Sequence, residues 1–366
     1  MTKYSVVLQG GDNKEYVQTL LNSIARTTTW IISILMITYE CDILLVYTIN
    51  LINVLFNILL AKNYEKKHYP FVSYKGQYDK SLIKGTKDVL FQKVANTIFT
   101  STDLILISTF ISLSFASVYN LYFQVFKAIL VLLSAIAQAP FNSFGQLVKN
   151  KSQKAKLSEY FNIYQYIILI ASTVLLTITG ALVVPFVKVY TLNITDFEYV
   201  YPSLSILFFS QIFSQIINRP FGTILNATGN FKMQNIQCGI AAIINIVVSL
   251  AFIKPWGINS IIFGSFVGTL VILIMNIYQA HKNVIATSMF RSFKNIFLNY
   301  VIGLIIICIS FKLEITVNNY FELIVLAIIF TISVSILVLT INILIDWKSF
   351  RLLVNYLNKL ILKKNV

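Results

Sequence analysis

Charge is the scarcest feature of this sequence. Charged residues make up 12% of its 366 positions, and only 14 residues are acidic; soluble domains carry about 25%. So little charge cannot cover a water-facing surface. With 57% hydrophobic residues and a mean hydropathy of +0.75, a soluble globular chain, a disordered one and a disulfide scaffold are excluded. Cysteine is nearly missing: Cys41, Cys238 and Cys308 share no spacing, so neither a disulfide framework nor a thiolate metal site is expected. His68 and His281 are the only histidines and form no metal-binding pattern. No phosphate-cradling Walker A loop, no nucleophile elbow and no zinc-protease helix occurs. The start of the chain lacks a basic segment leading into a short apolar run, so no cleaved signal is expected. An enzyme has no constellation to stand on, and no cofactor is implied.

What the chain has in abundance is long apolar runs. Ten reach membrane-spanning length, at about 19–39, 43–61, 89–112, 117–140, 160–184, 199–218, 235–253, 258–279, 295–311 and 321–344. They are continuous rather than alternating, which argues against a membrane β-barrel. The expected fold class is therefore all-α, a polytopic transmembrane helical bundle.

The basic residues orient it. Of 29 lysines and arginines, 23 fall in one alternating set of connections. That set holds Lys3 and Lys14, seven lysines of 62–87, four of 149–156, Arg219 and Lys232, then Lys282, Arg291 and Lys294, and finally Lys348, Arg351, Lys359, Lys363 and Lys364. The other set holds Lys188, Lys254 and Lys312, while Arg26, Lys93 and Lys127 lie within spans. Positive charge concentrates on the cytoplasmic side, so both termini are expected there. The net charge of +15 then faces the membrane lipids of an anionic leaflet and requires no nucleic acid.

Polar side chains at membrane depth are costly and usually face a bundle interior or a water-filled cavity. In the fourth span Asn120, Gln124, Lys127, Ser134 and Gln138 fall within about 40° of one line on a helix. The third span carries Gln92, Asn96, Thr100 and Asp103 in a similar stripe beside Lys93. The sixth carries Gln211, Gln215 and Asn218 and ends at Arg219, and the first carries Arg26. Hydrogen bonding between helices is enough to account for single Asn, Ser and Thr residues. A stripe along a whole span, with Lys127 near its middle, points to a wet cavity. Asp103 is a candidate partner for one of the cations. Ser260, Gly264 and Gly268 are spaced by four and predict close helix approach in the eighth span.

Several stretches resemble a known family. IKGTKDVLFQKVANTIFTSTDLILISTFIS at 83–112 and VYNLYFQVFKAILVLLSAIAQAPFNSFGQLV after it are similar to paired helices of the O-antigen and capsule flippases. RPFGTILNATGNFK and NIVVSLAFIKPWGINSIIFGSFVGT resemble later segments of the same proteins. These belong to the superfamily that also holds the MATE multidrug exporters and the lipid II flippase. The resemblance implies a MATE-like second lobe of six helices over 83–283, two additional helices and a basic tail over 284–366, and an incomplete first lobe over 1–82 that lacks about four helices. It implies a bacterial cytoplasmic membrane protein that flips an undecaprenyl-diphosphate-linked oligosaccharide by alternating access, beside other polysaccharide assembly proteins. The cavity candidates read from the polar stripes themselves are Arg26, Lys93 and Lys127 for the diphosphate, Asn96, Asn120, Gln124, Gln138, Gln211, Gln215 and Asn218 for the sugar, and Asp103 and Arg219 beside them. The alternatives are a MATE-type drug or cation exporter, a membrane polysaccharide polymerase and a non-transporting flippase remnant. The polymerase is disfavoured by short outer loops.

The charge asymmetry makes the topology testable. Reporter fusions at Lys154 and Asp196 should report opposite faces of the membrane, and a shared side would refute the alternation.

Overall fold

A computed structural model describes residues 15–68, 70, 90, 101–149, 154–228, 231–313 and 315–364. Every regular element among them is a helix. The chain divides into two units, Met1–Lys80 and Ser81–Val366.

The first unit is a helical hairpin of α1 (Glu15–Thr38) and α2 (Ile43–His68). Asp42 starts α2 by accepting a hydrogen bond from the Leu44 amide at 3.0 Å. The helices meet where side chains are small: Ala25, Thr29 and Ala61 are buried, and Asn53 Nδ2 donates to the Ala25 carbonyl at 3.2 Å. Most other side chains of the hairpin, Arg26 included, are exposed.

The second unit contains α3 (Ser101–Phe110), α4 (Leu113–Gln138), α5 (Phe141–Lys149), α6 (Lys154–Tyr190), α7 (Pro202–Ala227), α8 (Phe231–Trp256), α9 (Ile258–Asn283), α10 (Met289–Lys312), α11 (Tyr320–Ile345) and α12 (Trp347–Lys364). At its centre lies α7, packed against α4, α5, α6, α9 and α10. Its core face carries Phe208, Phe209, Ile212, Phe213, Ile216 and Phe221, all nearly or fully buried. Tyr119, Tyr122 and Phe126 of α4 surround the Phe208 ring at centroid distances of 5.3, 6.5 and 5.7 Å. Hydrocarbon provides no hydrophobic drive between helices, so this close fit and its dispersion contacts hold them together. The 37-residue α6 is about 55 Å long at 1.5 Å per residue. It passes well beyond a hydrocarbon core of about 30 Å and carries α10, α11 and α12 on its outer side.

Eight of the helices (α1, α2, α4, α6, α8, α9, α10 and α11) are long and apolar enough to cross a membrane. Ten spans were expected. The stretch 89–112 lies largely outside the described residues, leaving the shorter α3. Most of the stretch 199–218 lies in α7 (Pro202–Ala227), which is not among the eight apolar enough to cross. The reason is its enclosure: a helix surrounded by other helices tolerates Gln211, Gln215, Asn218 and Arg219, because few of its side chains face outward. The basic tail folds as α12, so α10, α11 and α12 follow residue 283. All three belong to the second unit.

Two close approaches fix the packing. An ideal Cβ on Gly264 of α9 would stand 2.7 Å from the Asn245 carbonyl oxygen of α8 and would collide with Ser249 Oγ. Between α10 and α11, Asn299 and Asn342 exchange side-chain hydrogen bonds of 2.9 and 2.8 Å, and Thr173 of α6 donates to Asn299 at 3.1 Å. Gly264→Ala should destabilise the detergent-solubilised protein by about 1–3 kcal/mol, the usual range for overpacking, because the obstructing carbonyl is backbone. Gly239→Ala, with nothing within 4 Å, should leave the thermal midpoint nearly unchanged.

Candidate functional site

Two faces of α4 behave differently. Val118, Tyr119, Tyr122, Phe126, Leu133 and Ala137 are buried against the core. Asn120, Gln124, Lys127 and Gln138 are exposed, and Ser134 is half-buried. The polar line lies about 130° round the helix from the core face, so it points away from the buried core of the second unit. Gln124 Nε2 donates to Asn120 Oδ1 at 3.4 Å, and Lys127 Nζ stands 5.4 Å from the Phe123 ring centroid. A helix apolar enough to cross a membrane thus presents amides and a cation outward.

Asp103 occupies a different place. It is 2% exposed and joins four helices. Ser265 Oγ of α9 lies 2.7 Å from both carboxylate oxygens, and Tyr119 Oη of α4 donates to Oδ2 at 3.1 Å. Asn245 Nδ2 of α8 donates to Ser265 Oγ at 3.0 Å, and Ser249 Oγ donates to Asn245 Oδ1 at 3.1 Å. The donors therefore run toward the carboxylate. Among the described residues the partners of Asp103 are hydroxyl and amide groups; Lys93, one of the cations it was expected to pair with, lies outside them. A carboxylate taken out of water is costly unless its charge is balanced. A carboxyl in this setting can take up a proton or hold a small cation together with the neighbouring oxygens.

The remaining candidates separate. On α7, Asn218 Oδ1 accepts from Asn276 Nδ2 of α9 at 2.9 Å, so it serves helix packing. Gln211 is 6% exposed and its Oε1 has no hydrogen-bond partner. Gln215 and Arg219 are half-buried. Arg26 lies on the exposed side of the first unit's hairpin. Lys93 and Asn96 lie outside the described residues.

The residues around Asp103 were not singled out from sequence, although Asn245 and Ser249 are four apart on α8 and Ser265 interrupts the small-residue run of α9. A second polar cluster was also missed. Arg291, at the start of α10, forms an ion pair with Asp346 at the α11–α12 junction. Asn295 Nδ2 donates to Asp346 Oδ2 at 2.7 Å, and the Ser349 amide donates to Oδ1 at 3.1 Å, which caps α12. Ser349 and Asp346 are buried. They line a small polar cavity with Gln165, Tyr166, Arg291 and Ser292. A single aspartate in a connection carries no sequence signal for such a role.

Among the described residues no group of three or more His, Cys, Asp or Glu side chains could hold a metal ion. Comparison with protein families, curated proteins and solved structures finds no match to the chain.

Burial pushes the Asp346 carboxyl upward. Hydrogen bonds from Arg291, the Ser349 amide and Asn295, with the Arg291 charge, outweigh burial and hold it below its ordinary value of 3.8. Its contribution is present above that value and lost as pH falls through the lowered one. Hydrogen-exchange protection of the Ser349 amide, corrected for the intrinsic pH dependence, should hold from pH 8 to about 4 and decline only below it. Asp346→Asn should reduce protection throughout, and a decline already at neutral pH in the unchanged protein would contradict the assignment.

Proposed function

We propose that this chain is the helical bundle of a membrane transporter that moves a polyprenyl-diphosphate-linked oligosaccharide across the cytoplasmic membrane. The observation that carries this reading is the outward polar face of α4. Lipid tails offer Asn120, Gln124, Lys127 and Gln138 no hydrogen bonds, so this face belongs against water or a polar cargo. A diphosphate crossing a bilayer needs a cation beside it, and Lys127 provides one at mid-helix. Sugar hydroxyls pair with amide donors and acceptors, and the flanking Asn and Gln side chains provide both. The order of the motifs over 83–148 and 219–269 supports the same reading through their resemblance to polysaccharide flippases. In this picture Asp103, shared among α3, α4, α8 and α9, is placed to couple its protonation or a bound cation to movement of those helices.

A second reading, a drug or cation exporter, is favoured by the same Asp103, a buried carboxylate whose partners among the described residues are hydroxyls and an amide. The cargo separates the two. The chain, reconstituted in liposomes, is offered a fluorescent polyprenyl-diphosphate oligosaccharide or a cationic dye. Movement of the labelled lipid is expected. Lys127→Arg should retain most of it, and Lys127→Met should reduce it about ten-fold or more, the scale of one hydrogen bond to a charged group. Movement of the dye alone would support the exporter. Unchanged lipid movement with Lys127→Met would remove the cation from the mechanism.

A further inference from the structure

The bundle's cargo leaves α12 unexplained. Only Asp346 separates this helix from the end of the 26-residue apolar α11, so it starts where a span leaves the hydrocarbon. Asp346 makes the turn: its amide closes α11 onto the Asn342 carbonyl, and its side chain caps α12 through the Ser349 amide. The Arg291 pair ties this corner to α10. The turn, the cap and the ion pair leave α12 lying against the end of α6, with the Tyr160 and Tyr356 rings 5.9 Å apart.

Three sectors run round α12. One faces the bundle and holds Ser349, which is 3% exposed. A second points outward and is apolar. It holds Trp347 at 61% and Leu357 at 47% exposure, with half-buried Phe350 and Val354 between them. Trp347 and Phe350 pack at 5.5 Å. The third, beside it, holds exposed Lys348, Arg351, Asn355 and Asn358. The sequence of α12, WKSFRLLVNYLNKLILKK, has five basic residues and no acidic one. Tryptophan and leucine thus stand open to the outside directly beside two cations, Lys348 and Arg351. An amphipathic helix with a basic flank lies in the plane of the headgroups, its apolar side among the acyl chains, and tryptophan concentrates at that depth.

We propose that α12 is an interfacial helix that recognises acidic phospholipid headgroups, with Lys348 and Arg351 on the lipid phosphates and Trp347, Phe350 and Leu357 inserted beneath them. The occupant of its outward face is the leaflet in which α11 ends. The charge complementarity and the position at the end of a span both select it over a protein partner. Because Asp346 and Ser349 join α12 to α10, the lipid contact bears directly on the packing of α10 and α11.

The full chain, with Cys41, Cys238 and Cys308 changed to serine, receives Leu357→Cys or Asn355→Cys for labelling with an environment-sensitive fluorophore. It is placed in nanodiscs of phosphatidylcholine or of phosphatidylcholine mixed one-to-one with phosphatidylglycerol, each carrying a lipid-attached quencher. In the acidic discs the label at 357 should be quenched and the label at 355 should remain in water. Raised salt or plain phosphatidylcholine should weaken the quenching at 357. Lys348→Gln and Arg351→Gln, both at exposed positions, should each lower the docked-to-undocked ratio about five-fold, the scale of one basic residue near an anionic surface. Equal quenching in both lipids would overturn the recognition of acidic headgroups and leave only apolar burial. Absence of quenching at 357 in both would place α12 off the membrane, its face free for an acidic protein, and would also overturn the proposal.

Discussion

Hydrocarbon cannot hydrogen-bond, and that one constraint accounts for where the polar side chains of this chain have gone. Exposed threonines return their hydroxyls to their own helix. Thr28, Thr48, Thr331 and Thr340 donate to the carbonyl four residues back at 2.6–2.9 Å. Buried amides find each other across helices, as Asn218 does with Asn276 and Asn299 with Asn342. Asp103 collects hydroxyl donors from two neighbouring helices. The outer face of α4 meets the constraint least well. Its amides share one long contact, and its lysine rests near an aromatic ring. This contrast gives the polar line on α4 its functional weight.

The same constraint shapes the packing. Apolar matching alone does not bring helices together in a bilayer, so shape must do it. Aromatic side chains of α7 fill the middle of the second unit, and small residues bring helix axes close where rings are absent. Gly264 lets α9 approach Asn245 and Ser249 of α8, and the Asp103 network is assembled at that approach. The small residue that permits packing and the polar residues it brings together are parts of one arrangement.

The helical class and most of the membrane-crossing stretches were legible in the sequence, because water tolerates so many long continuous apolar runs poorly and a bilayer accepts them. The sixth expected span was harder to read. Enclosure inside a bundle removes the need for an apolar surface, and α7 accordingly carries glutamines, asparagine and arginine. The stripe on α4 was legible through its periodicity, and its direction, away from the buried core, was not. Periodicity gives the relative angle of residues on one helix and leaves the direction of the neighbours open. The partners of Asp103 were not legible, since Tyr119, Asn245 and Ser265 lie on three helices up to 162 positions away and each is an ordinary residue in its own span. The Asp346 corner was hidden for the same reason.

The paired amides of Asn299 and Asn342 carry a mechanical consequence. Each side chain both gives and receives a bond, and sliding α11 along α10 by one helical turn, about 5.4 Å, would break both bonds together. Rotation about the pair alters them far less. The joint therefore pins the height of α11 against α10, and with it the level of the corner at Asp346, four residues further along the chain.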